Sequence, residues 1–117
     1  MIITRFDKTK EIPTSEGIVK PLFVSDDLKV VFMRIPAGLS VPPHSHPYPD
    51  NFLLLKGSVV LHTQEPELLH EGDLAHIPPG TAFGIECRKD AEAIMISSPA
   101  KNPTPPGVCK SLMASSL

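Results

Sequence analysis

The sequence predicts an all-β fold, a sandwich or barrel of short strands, and three observations carry that expectation. Fourteen prolines are spread over 117 residues. Proline breaks helix interiors and is confined to turns, sheet edges and strand ends. Between the prolines lie short runs of β-forming residues, separated by turn-forming clusters at nearly regular spacing, as in sandwiches and barrels.

Taken in chain order, the expected strands are GIVKPLFV (17–24), LKVVFMRI (28–35), NFLLLKGSVVLHT (51–63, broken at Gly57), DLAHI (73–77), AFGIE (82–86) and AEAIMIS (91–97). The intervening turns are SDD (25–27), PAG (36–38), EPE (65–67), EGD (71–73), PPG (78–80) and RKD (88–90). In PPG, proline presets φ and glycine accepts a conformation barred to bulkier residues. Residues 1–98 are expected to form one domain. The stretch from Pro99, PAKNPTPPGVCKSLMASSL, has little periodicity and reads as an extended C-terminal arm over 99–117.

Composition narrows the function classes. The chain suits a single hydrophobic core. Its net charge is −2 and it has no basic patch, so no nucleic-acid partner is expected. No apolar run approaches the roughly 20 residues that span a bilayer, and the opening MIITRFDKTKEIP lacks the apolar stretch of a signal peptide. No membrane association is expected. Two cysteines, Cys87 and Cys109, make no disulfide framework, and a reduced cytoplasmic setting is the expectation. There is no G-x-S-x-G, which disfavours a nucleophilic hydrolase.

The segment PPHSHPYPDNF (42–52) carries the chemistry. In a strand, residues i and i+2 point to one face, so His44 and His46 aim two imidazoles at one spot. Asp50 follows after PYP, a bend able to return the chain there. Two imidazoles and a carboxylate form a facial triad suited to Fe(II), Mn, Ni or Zn, with positions left open for substrate.

The spacing Gly38-x5-His44-x-His46-x3-Asp50-x6-Gly57 resembles the first cupin motif, G-x5-H-x-H-x3–4-E-x6-G, with Asp in place of Glu. Gly72-x5-Pro78-x-Gly80 resembles the opening of the second, G-x5-P-x-G-x2-H-x3-N, after a gap of 14 residues. The chain is thus similar to small single-domain cupins of the type-2 conserved barrel family. The resemblance implies a double-stranded β-helix, a jelly-roll barrel with its site in the mouth, a small-molecule ligand, a divalent transition metal and a homodimer. As an enzyme it implies a dioxygenase, isomerase, decarboxylase or lyase.

Two departures bear on function. Phe83 stands where the second motif has its metal-binding histidine, and Cys87 where it has asparagine. The ligand set implied by the resemblance shrinks to His44, His46 and Asp50. An open three-ligand site, replacement by another group (His62, His70, His76 or Cys87), or loss of metal to leave a plain ligand pocket are the three arrangements compatible with this. Alternation puts His76 on the face of Leu74 without saying whether that face lines the barrel. The pocket wall is expected from Phe83, Phe52, Leu54 and Arg34, with Met33 and Met95 nearby. An inward Arg34 would suit a substrate carboxylate.

Overall fold

In the computed structural model the described residues are 1–99; the expected arm, beyond Pro99, and Cys109 lie outside them. Among the described residues there are eight strands: β1 (Ile12–Thr14), β2 (Gly17–Val24), β3 (Lys29–Ile35), β4 (Ser40–His44), β5 (Asp50–His62), β6 (Glu67–Leu69), β7 (Leu74–Ile77) and β8 (Phe83–Ser97). The helical content of the described residues is one 3-10 turn, Phe6–Lys8. No helix among them is long and apolar enough to cross a membrane.

All pairings are antiparallel, and β5 and β8 form the spine. The first half of β5 pairs with the second half of β8, and the second half of β5 with the first half of β8. Beside the 50–56/92–97 portion lie β3, β2 and β1 on one side and β7 on the other. Beside the 58–62/84–89 portion lie β4 and β6. Two facing sheets therefore share their two longest strands, the corner arrangement in which strands switch sheets through irregularities. This is the jelly-roll barrel, the double-stranded β-helix.

The corner falls at Gly57. The β5–β8 register shifts on both sides of it, and its φ is +91°. A Cβ there would lie 2.3 Å from the Asp90 carbonyl oxygen, so only glycine allows this close crossing. RKD at 88–90, expected as a turn, instead continues β8 as the exposed outside of the bend. The polar composition marked the corner correctly, but hydrogen bonding runs through it. EPE likewise ends earlier than expected, because Glu67 already pairs with Leu61.

Alternation fills the interior. Val31, Met33 and Ile35 of β3 share the inner face of one sheet with Phe52 and Leu54 of β5 and Ala91, Ala93 and Met95 of β8, each at most 2% exposed. Val41, Leu61, Leu69, Phe83, Ile85 and Cys87 line the opposite sheet in the same cluster. Fully burying such a side chain contributes about 1.5–3 kcal/mol, so this continuous cluster is the main stabilising element. On the outer face Phe32 is covered by Phe6, with ring centroids 4.8 Å apart. The Lys20 ammonium caps Phe6, 3.8 Å from its ring centroid.

Candidate functional site

The candidate site is built where β4 ends and β5 begins. Proline has no N–H to give a ladder, and in β4 the register to β8 shifts between Val41 and His44, across Pro42 and Pro43. The shift sets His44 opposite Phe83. The next residues are tied down by the PPG turn: Gly80 N–H donates to the His46 carbonyl at 2.8 Å. The two imidazoles come together, with ring centroids 5.0 Å apart.

Each ring is held through Nδ1. His44 Nδ1–H donates to the Pro42 carbonyl at 3.1 Å; a carbonyl only accepts, which leaves Nε2 as the ring's free lone pair in the neutral form. His46 Nδ1 meets Asp50 Oδ2. The other Asp50 oxygen accepts from Ser97 Oγ–H at 2.6 Å. Ser97, Asp50 and His46 thus form a buried chain in which both carboxylate oxygens are engaged. The far ring nitrogen, His46 Nε2, is buried with no hydrogen-bond partner. His46 is 4% exposed.

Asp50 therefore does not stand in the expected place. Nδ1 and Nε2 point to opposite sides of an imidazole, so Asp50 sits behind His46, away from the side that Nε2 faces. The missing methylene relative to Glu, together with pairing of Asp50 to Ser97 and Ile77, keeps the carboxylate against the sheet.

Aromatic groups close the space around the rings. Tyr48 stacks on His46 with centroids 5.1 Å apart. Phe83, 1% exposed, packs against His44 at 5.4 Å and His46 at 5.8 Å. Among the described residues, no group of three or more His, Cys, Asp or Glu side chains is gathered in a geometry that would hold a metal ion.

The other expected site residues lie elsewhere. His76 is on the outer face of β7, where its Nδ1–H donates to Asn51 Oδ1 at 2.8 Å; its neighbours Ala75 and Ile77 take the inner positions. The face it shares with Leu74 is the solvent face, so the structure does not bring it to the histidine pair. His62 is partly exposed beside Glu86, and His70 is exposed before the EGD turn. Phe52 and Leu54 are core residues with no exposure. Arg34 turns outward and pairs with Glu11 at 3.1 Å. The Cys87 thiol is buried and donates to the carbonyls of Ile35 and Lys89; burial, reinforced by Asp90, pushes its pKa up.

Two residues near the site carried no motif. Glu16, 7% exposed, brings Oε1 to 3.5 Å from His44 Nε2. Lys29 pairs with Ser97 at the same level as Asp50; burial lowers its pKa, and the nearby Asp50 charge opposes that shift. Its signal was present in LKVVFMRI, where alternation sets Lys29 on the face of Val31, Met33 and Ile35. A groove of about 630 Å³ at the far end of β3, lined by Ile18, Ile35, Leu39 and Ala91 among others, shares no residue with the histidine cluster.

Comparison with solved structures agrees with this architecture. The chain is similar to an RmlC-like cupin from Shewanella frigidimarina NCIMB 400, with a TM-score of 0.79 and 19% identity over 86% of this chain and 92% of that one. It is similar to KdgF from Halomonas sp., with a TM-score of 0.77 and 22% identity over 86% and 96%. It also resembles the polyketide cyclase RemF from Streptomyces resistomycificus, with a TM-score of 0.76 and 19% identity over 89% and 82%. At these identities the likeness establishes the fold. No curated protein matches the sequence. The family model described as "Cupin domain" matches residues 31–99, more than half of the chain. With both cupin-like glycine spacings and the jelly-roll topology in place, the chain belongs to the cupin domain family.

Proposed function

We propose that this cupin holds one divalent transition metal, of the Fe, Mn, Ni or Zn class, through Nε2 of His44 and His46, and binds or acts on a small organic molecule beside it. The observation that carries this reading is the buried, unpartnered Nε2 of His46. A buried polar atom without a partner costs about 1–3 kcal/mol, a cost that an ion at that nitrogen removes.

The spacing of the rings supports the same reading. Two imidazoles sharing one ion through Nε2 at about 2.0–2.1 Å have centroids about 4.5–5.2 Å apart for ligand angles of roughly 90–109°. His44 and His46 stand 5.0 Å apart. Both Nδ1 atoms are held by a carbonyl or a carboxylate, the outer support that orients histidine ligands in metal sites. A bound metal would supply Lewis-acid or redox chemistry. In this reading Asp50 and Ser97 fix the His46 ring, while Tyr48 and Phe83 keep water from its faces.

A second reading is a metal-free small-molecule binding or sensing module. Phe83 favours it, because this apolar ring packs against both imidazoles. The two are separated by elemental analysis of protein purified without chelator or affinity-tag metal, followed by competition titration with Zn(II). Wild type is expected to bind up to one ion per chain, and the double variant His44→Ala/His46→Ala none. Equal binding by both, or no binding by either, rejects the metal reading.

A further inference from the structure

We infer that the outer face of the sheet formed by β3, β8, β5 and β7 is a docking surface for a second copy of this chain, which covers it with its own matching face and with its residues Met1–Ile3. The inference is independent of the metal reading above.

These strands are apolar on both faces. An antiparallel sheet with one face in water ordinarily alternates apolar and polar residues, whereas continuous apolar runs belong to strands covered on both sides. In FLLL (52–55) and AIMI (93–96) the inner positions are filled by the core. The outer positions join one cross-strand row, Phe32–Ile94–Leu53–Leu74. Phe6 covers the first residue of this row within the chain, but Leu74 at its other end is 60% exposed. Leu55, on the same face of β5, is exposed as well. The row in the equivalent place on the other sheet, Ser40–Glu86–Val60–Leu68, is half polar. The apolar excess therefore belongs to one sheet.

The segment leading to Phe6 adds to that excess. Thr4 Oγ1–H donates to the Leu22 carbonyl at 2.7 Å, and Lys20 Nζ donates to the Phe6 carbonyl at 3.0 Å, so the segment is anchored on β2 beside the row. Met1, Ile2 and Ile3 nonetheless keep more than half of their surface in water. The area fits a second copy. At about 200 Å² for a whole residue of this size, the exposed parts of Met1, Ile2, Ile3, Phe6, Leu55 and Leu74 come to about 800 Å², the amount a standard interface buries on each partner. A two-fold axis uses one patch on both chains at once, so a second copy brings an apolar area equal to the one it covers. Two such sheets pack face to face about 10 Å apart, as in sandwiches.

The test is the solution mass of the full chain, from size-exclusion chromatography with light scattering and from sedimentation equilibrium over a range of protein concentrations. Wild type is expected to be a dimer, and Leu74→Glu and Ile3→Glu are each expected to weaken self-association at least tenfold. Leu68→Glu, which alters an exposed leucine of the other sheet, is expected to leave it unchanged. A monomeric wild type overturns the inference. So does a dimer that neither Leu74→Glu nor Ile3→Glu weakens, because another surface then holds it, and so does a loss in Leu68→Glu as large as that in Leu74→Glu. A loss in Leu74→Glu with none in Ile3→Glu overturns the part assigned to Met1–Ile3 and upholds the pairing of the two faces. If circular dichroism shows Leu74→Glu unfolded, Leu55→Glu takes its place with the same expected and overturning results.

Discussion

The barrel interior buries a polar hydrogen-bonding group near each of the two places where its second motif departs from the family pattern, and treats them in opposite ways. Around Phe83, the chain of Ser97, Asp50 and His46 is satisfied at every atom but one, His46 Nε2. At Cys87, the thiol is enclosed by two carbonyls and held protonated by burial. The difference separates a buried group that completes the packing from one that leaves a valence for something else. Buried polar groups are ordinarily all paired, so His46 Nε2, the exception among the described residues, is the atom on which the proposed function rests.

The largest effect that would break this contrast comes from Asp50→Ala. It strands His46 Nδ1 and the Ser97 hydroxyl inside the core, at about 1–3 kcal/mol for each buried group left unpaired. Denaturant unfolding should show the sum of both; a loss under 1 kcal/mol would mean that the chain is not a structural unit. Ser97→Ala removes one of these bonds and is expected to cost about 1–3 kcal/mol, with metal affinity lowered less than by loss of either histidine. Phe83→His sharpens the contrast from the other side. It offers a new imidazole opposite His44 and should tighten Zn(II) binding by at least about tenfold, the scale on which outer supports already act, as read by competition titration. Unchanged affinity would show that this corner does not face the ion.

At the Cys87 end the expected effects are smaller. Its thiol should react with iodoacetamide far more slowly than a free thiol at pH 8–9, because the thiolate is the nucleophile and burial disfavours it. A raised folded-state pKa gives a stabilising contribution that is complete below the unfolded pKa and is lost as pH rises through the folded one. Unfolding followed from pH 7 upward should show a Cys87-dependent loss only in the alkaline range, absent in Cys87→Ala. His76→Ala marks the zero of the scale: no change in metal affinity is expected, since its ring is on the outer face. A measurable loss there would return it to the ligand set.

Much of the architecture was legible because its signals are local. The glycine and proline spacings of 38–57 and 72–80 set the turns, whereas alternation in LKVVFMRI separated Met33 from Arg34 without naming the inner face, and Arg34, expected in the pocket wall, turns outward to Glu11. RKD was misread because a polar triplet marks a solvent-exposed corner as well as it marks a turn, and only the partner strand tells them apart. Asp50 was placed on the histidines' side by spacing alone. Its direction depends on Ser97, 47 residues later, and a remote hydrogen-bond donor leaves no local trace. Glu16 belongs to no motif, and it reaches His44 only because the first hairpin folds over β3. His76 was undecidable, since alternation gives two faces without naming the inner one.

The bend that carries β8 across both sheets has a consequence for how the protein is made. β8 hydrogen-bonds to β3, β4 and β5, yet follows all of them in the chain. Until residues 83–97 have left the ribosome, β3 and β4 each lack a neighbour and β5 lacks its longest partner. Unpaired edges of this kind are prone to associate between chains. Folding should therefore wait for the last strand and proceed as a single late step, slow for the chain's size because its contacts are so distant in sequence. Nascent chains ending before residue 83 should remain protease-sensitive, and protection should appear in one transition once Ser97 clears the exit tunnel.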